Sequence, residues 1–537
     1  MTMRAALLAL LSFLAPEADA FDFAGGSKLS LSADYTYTDA RVTGSNISAS
    51  YLTIGRRFQQ NTGMVFTTRT GEVNWEAAAD GRIADDDRVE TRKGSLKRAY
   101  LRAYTERHEL TVGDFLASFT ERTVGRGLKG GQYVWRPRPT TEVKTFAGMD
   151  KGAWDTLWLH DPSEQLDRRV YGARVSQWLW RESRLGLNAV WTRDNRSHTD
   201  TTTTAQNQRV FSADWALPEF WGFAFYGESA FSRTDNDIPG LDGNGDPTLS
   251  YDSRRGWDHY GHGDFRFKRF KTSNDVERVD PDYATAVGAS SPDLFRVFSK
   301  NTLDLFGPWK WILLNYTYFH NNLSRTDDGV TATTRMPESG LRYDGPDWRP
   351  TFSMEVKLRH REYQQSDDAR RNRTRSVVAG VADTFGPLSL SVDYEYQHED
   401  GSRGDYSRRH HILGAGATFS KQSASGWKLT QALHCDMQRD RDNLIPATDQ
   451  STLYNGSLFV ESPWGIEANA AASRSRYLPA QASATDRRTF SAGLAYNLLK
   501  NKDRRLEVRY RQNDNRFALP DLDYKEMIWE ASASLRL

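Results

Sequence analysis

Ionisable and aromatic side chains recur at every second position in several parts of the chain. Arg98, Tyr100, Arg102 and Tyr104 form one such run. Glu355, Lys357, Arg359 and Arg361 form another, Asp393 and Glu395 a third, and Glu507, Arg509 and Arg511 a fourth. Successive residues of an extended strand point to opposite faces, so each run occupies a single face. Two kinds of chemistry suit such a ladder. It can line a pore and set ion or solute selectivity, or it can keep an inner wall hydrated while its charges pair across strands. The Arg/Tyr ladder could further serve as a track for anionic or sugar-like solutes.

Other clusters promise less. Asp242-Gly243-Asn244-Gly245-Asp246 resembles the start of a calcium loop, with oxygens at alternate positions. Pro247 stands where the turn glycine belongs and no glutamate closes the loop, so Asp242, Asn244 and Asp246 are a weak metal candidate and a polar loop is the expected reading. In Asp258-His259-Tyr260-Gly261-His262-Gly263-Asp264 the two histidines are three apart in a strand-like segment, which puts them on opposite faces and argues against shared ligation. His410-His411 suggests nothing specific. Cys435 shares an apolar face with Leu433 and Met437, as a small hydrophobe would. No serine nucleophile elbow, phosphate loop, dinucleotide fingerprint or zinc-protease motif is present, so no catalytic residue and no cofactor is expected.

The elements that carry the ladders read as strands with two unlike faces. Phe352, Met354, Val356 and Leu358 back the second ladder; Leu388, Leu390, Val392, Tyr394 and Tyr396 back the third. The last segment alternates Met527, Trp529, Ala531, Ala533, Leu535 and Leu537 with Ile528, Glu530, Ser532, Ser534 and Arg536. Similar segments begin from Lys28 onward, most of them about 9–13 residues long, the length that crosses a bilayer at a tilt. Tight turns such as Phe306-Gly307-Pro308-Trp309, Phe385-Gly386-Pro387-Leu388 and Glu461-Ser462-Pro463-Trp464 alternate with long polar connections. That alternation predicts an all-β chain forming one transmembrane antiparallel up-and-down β-barrel, with short periplasmic turns and long extracellular loops. The segments point to about 22–24 strands, with 20 and 26 as limits; an even number follows from both termini being periplasmic. Two stretches, 115–139 and 234–292, do not resolve into strands and are candidates for inward-folded or extracellular loops. Tryptophans beside the turns, among them Trp178, Trp180, Trp221, Trp309, Trp427 and Trp464, suit interfacial girdles.

Composition supports this reading by exclusion. Mean hydropathy is -0.69, which excludes a bundle of membrane-spanning helices. Lys+Arg is 71 against Asp+Glu 70, so no nucleic-acid partner is expected from bulk charge. The single cysteine excludes an intramolecular disulfide and any haem-attachment motif in this chain. At the N-terminus a basic start, the apolar run Ala5–Ala15, Pro16 and Ala18-Asp19-Ala20 have the layout of a secretory signal peptide over residues 1–20, leaving 21–537 for the barrel.

The leader, the alternating segments and the aromatic-and-apolar last strand resemble Gram-negative outer-membrane β-barrel proteins of the porin type, as a large barrel; Val112-Gly113-Asp114-Phe115 with Gly125-Arg126-Gly127-Leu128 resembles an uncharacterised group of them. The chain departs from the type in ending on Leu537 where Phe is common. The resemblance implies an outer-membrane location, contact with outer-membrane lipid, insertion by the barrel-assembly machinery, and a channel for passive or weakly selective diffusion of small hydrophilic solutes. In size and strand pattern the chain also resembles the barrels of porin–cytochrome conduits. These imply an alternative: a sheath that houses a partner such as a periplasmic or multihaem cytochrome, or guides an exported polymer. A plugged, energy-coupled transporter would need a large domain ahead of the strands, yet alternation begins at Lys28.

Overall fold

The computed structural model describes residues 21–23, 26–90, 93–151, 154, 166–180, 183–196, 204–241, 247–289, 291–323, 331–346, 351–365, 371–401, 407–444, 447–480, 484–498 and 503–536. The leader expected over residues 1–20 and the acidic loop Asp242–Asp246 lie outside the described residues. Among these residues the chain forms one 27-stranded sheet. One of the 27 is the three-residue strand Phe21–Phe23, which pairs with Ser27–Leu29. The other 26 form a closed wall: each is antiparallel to its neighbours in sequence, and the first, Ser27–Gly44, pairs with the last, Tyr524–Arg536, from Ser32↔Arg536 to Gly44↔Tyr524. Closure leaves no edge whose N–H and C=O groups would lack partners in lipid.

The alternation decides which face looks outward. Leu358 is 61% exposed and Leu433 67%, as are Val356, Val392, Leu494 and Val508 in lesser degree, all on the outer face. The charged residues between them point inward. Cys435 stands between Leu433 and Met437 on the outer face, as its neighbours in sequence implied. Connections are short at the end where both termini lie and longer at the other. At the short-turn end, Gly307 (φ +52°) and Gly386 (φ +57°) take the left-handed conformation that a side chain resists. Trp427 and Trp464 pack edge-on there at 5.4 Å between ring centroids, where an amphipathic ring suits a membrane interface.

The wall before residue 150 holds the expected seven strands: Ser27–Gly44, Gly55–Thr70, Val73–Ala84, Gly94–Tyr104, His108–Ser118, Gly125–Arg138 and Thr141–Met149. The total of 26 stands at the upper limit and above the favoured 22–24. The difference is the hairpin Pro247–Phe267 and Phe270–Val279, inside the stretch 234–292 whose sequence shows no clear alternation. Its turn, Lys268-Arg269, contains neither glycine nor proline; Lys268 itself adopts φ 49°. Its outer face is weakened by Gly261 and Gly263, which hid the alternation. Most of 115–139 is strand as well. Among the described residues of these two stretches, 119–124 and 280–289 leave the wall beyond its tight turns, and both fold inward.

Candidate functional site

Loops 119–124 and 280–289 arise at the long-loop end and lie on the inner face of the wall between His108–Ser118 and Phe270–Val279. Under them, inward positions that carry charge elsewhere are apolar: Phe115, Leu128, Phe146, Val170, Val190 and Val210 pack with Val124 and Val287 of the loops. The loops also bind each other through the backbone, Gly125 N–H donating to Val287 O (2.9 Å) and Ala289 N–H to Glu121 O (2.7 Å). The wall holds the longer loop by side chains. Gln208 Oε1 accepts from Ala286 N–H (2.6 Å), Ser232 Oγ accepts from Ala284 N–H (3.0 Å), and Arg168 donates to Ala286 O (3.3 Å). Gly256 makes room: a β-carbon there would collide with the Tyr283 backbone.

Arg122 is the centre of this packing. Its side chain is 9% exposed, and it reaches carboxylates on three consecutive strands: Asp258 (Nε–Oδ1 3.1 Å), Glu277 (Nη2–Oε1 2.5 Å) and Glu228 (Nη1–Oε2 3.7 Å). Its guanidinium also stacks over Tyr260 at 4.4 Å. Burial opposes its charge, yet the three carboxylates outweigh that and hold its pKa above the ordinary value. The Tyr283 hydroxyl donates to Arg122 O at 2.6 Å. Burial, with Asp258 and Glu228 nearby, pushes that phenol well above its usual range, so it stays a neutral donor. Thr120 Oγ1 donates to Glu228 at 2.6 Å, and Arg296 reaches the far oxygen of Glu277 at 2.7 Å. Each buried carboxylate therefore has a partner, as buried charge requires.

The ladders read from the sequence stand elsewhere on the inner face. Arg98 pairs with Asp80 (2.5 Å), and the Tyr100 hydroxyl donates to Glu76. Arg102 bridges Glu109 (2.9 Å) and Glu76 (3.6 Å) and lies over Tyr104 at 4.7 Å. Arg359 joins two runs, with Glu338 at 2.9 Å and Glu395 at 3.9 Å. Lys357 pairs with Glu355 two residues before it, and the Asp393 carboxylate lies against Gly414 of the next strand. Arg509 reaches Glu507 (2.5 Å) and Glu530 (3.7 Å). Arg361 and Arg511 are exposed on the same faces of Ser353–Gln365 and Arg504–Phe517. The second and third ladders thus meet, while the first and fourth stay on separate parts of the wall. His259 faces Ser229 (3.0 Å) and His262 faces Asp264 and Asp275 (3.0 and 2.8 Å), on opposite sides of their strand as the spacing requires.

Sequence reasoning missed Arg122, Glu228, Asp258 and Glu277 as a unit. A signal was present: Val190-Trp191 and Val210-Phe211 put apolar residues on both faces of their strands, which marks a wall covered on both sides.

No protein-family model and no curated protein sequence matches the chain. Among solved structures it is similar to the siderophore receptor PirA from Pseudomonas aeruginosa (9% identity, 94% of this chain and 80% of that one, TM-score 0.40). It is similar also to the P pilus usher (PapC) translocation pore (10% identity, 94% and 99%, TM-score 0.36) and to the FrpB iron transporter from Neisseria meningitidis (10% identity, 94% and 81%, TM-score 0.42). At these values the likeness assigns no cargo. What the chain's own geometry shows is a closed antiparallel barrel, apolar outside and charged inside, the architecture of outer-membrane β-barrels.

Proposed function

We propose that the chain is a channel of the Gram-negative outer membrane through which small hydrophilic solutes diffuse, with an aperture narrowed by two inward loops. The observation that carries this reading is the division of the inner wall. One arc is covered by loops 119–124 and 280–289; the rest carries ion pairs such as Arg359–Glu338 and Arg509–Glu507. In this reading Arg98, Tyr100, Arg102, Tyr104, Glu355, Lys357, Arg359, Arg361, Asp393, Glu395, Glu507, Arg509 and Arg511 line the pore. Mixed charge on that lining makes it wet and weakly selective. Purified protein inserted in a planar bilayer should give stepwise ion currents; a folded, inserted barrel that passes none would overturn the proposal.

The uncovered arc favours a second reading, a sheath around a partner such as a multihaem cytochrome. Ion pairs such as Arg359–Glu338, Arg505–Glu467 and Arg509–Glu507 stand on its inner face. Protein purified from its native membrane would then carry haem absorbance and conduct only after the partner is stripped away.

A further inference from the structure

The inner face at the short-turn end holds a concavity of about 600 Å³, within the size range of small-molecule sites. Its walls come from consecutive strands between Phe223–Leu241 and Ser353–Gln365, and six cations converge on it: Arg266, Lys271, Lys300, Lys310, Arg342 and Lys357. Four carboxylates share the lining: Glu219, Asp264, Asp304 and Glu355. Several of the charges are already matched. Lys271 pairs with Asp304 at 3.1 Å, Lys357 with Glu355, and Lys310 and Arg342 both with Asp344. Asp264 is turned toward His262 at 3.0 Å. Lys300 has no carboxylate within ion-pairing distance among the described residues.

The wall is irregular at this spot. The ladder between Leu294–Asp304 and Trp309–Asn321 shifts register between Ser299 and Thr302, and the next ladder shifts between Ile312 and Asn315. Such bulges re-aim side chains and recur beside functional sites. Here they flank Lys300, in a cavity that holds more cations than carboxylates. A low-dielectric wall around like charges concentrates the opposite ion.

We propose that this concavity is a binding site for small multivalent oxyanions, phosphate- or carboxylate-bearing, at the periplasmic mouth of the lumen. Lys300 and Arg266 supply charge not paired with a carboxylate among the described residues, and Lys310 and Arg342 can exchange their shared Asp344 for ligand. The proposal rests on the channel reading and names its solute class.

The test has two readouts on detergent-purified and bilayer-inserted protein, with pyrophosphate and citrate as probes. Calorimetry should find binding that weakens as salt rises, and Lys300→Gln with Lys310→Gln should weaken it at least tenfold. In the bilayer the same anions, added on the short-turn side, should reduce the chloride-carried current of the unaltered protein and not of the double variant. Arg474→Gln, on the outer rim, is the control and should bind as the unaltered protein does. If pyrophosphate binds and citrate does not, the ligand is a phosphate compound; the converse assigns a carboxylate. Currents present with neither probe binding nor blocking would overturn the site while leaving the channel standing. No current from a barrel that binds the probes would overturn the channel reading instead. Binding that the double variant retains would also overturn the site, since circular dichroism on the same sample reports whether the barrel is intact.

Discussion

Two arcs of one wall treat charge in opposite ways. Between His108–Ser118 and Phe270–Val279 the inner face is dry enough that Asp258 is 0% exposed, and its charge is held by Arg122 from a loop 136 residues away in sequence. On Arg504–Phe517 the cation of an ion pair stays in water: Arg509 is 57% exposed at the side chain, although its partner Glu507 is 6% exposed. The same residue types therefore do different things. Where loops exclude water, an ion pair fixes a loop in place, because breaking it would strand a charge. Where water remains, an ion pair stabilises little and shapes the field in the lumen.

The largest break in this contrast is Arg122→Ala. It leaves Glu228, Asp258 and Glu277 facing one another without their shared cation, and loss of one partner of a buried pair costs about 3–5 kcal/mol. The barrel ladders do not include Arg122, so the loss falls on loop docking. Single-channel conductance should rise, and proteolysis within 119–124 and 280–289 should quicken with strand circular dichroism unchanged. Tyr283→Phe is smaller. It removes one buried hydrogen bond to Arg122 O, worth about 1 kcal/mol, and should appear as faster hydrogen exchange in 280–289 with nearly unaltered conductance. Arg509→Gln is the smallest in stability, less than ~1 kcal/mol, because Arg509 is itself exposed and Glu507 keeps Arg505 at 3.2 Å. Its thermal midpoint should match the unaltered protein, while the reversal potential in a salt gradient shifts toward cation preference. If Arg509→Gln destabilised the barrel as much as Arg122→Ala loosens the loops, the two arcs would not differ as described.

Much of the wall was legible because its cause is local. Met354, Val356 and Leu358 alternating with Glu355, Lys357 and Arg359 tell which face meets hydrocarbon without knowledge of any partner strand. The hairpin after Pro247 was not legible because its turn lacks the usual glycine or proline and its outer face includes Gly261 and Gly263. Residues 119–124 were not legible either. Thr120-Glu121-Arg122-Thr123 has the polarity of any exposed loop, and nothing in that run announces three carboxylates on distant strands. The charged ladders were recognised as inward residues. Which of them meet, as Arg359 and Glu395 do, depended on a register the sequence does not state.

By itself, then, the sequence determined most of the strands, the direction of their faces and the kind of solvent on either side, since side-chain alternation is a property of neighbouring residues and of the medium they touch. Only the tertiary structure decided that the wall closes Ser32 onto Arg536 after 26 strands, and that two loops turn inward to bury Arg122. Both depend on groups more than a hundred residues apart meeting in space, and no local pattern records a contact whose energy arises only when distant segments are brought together.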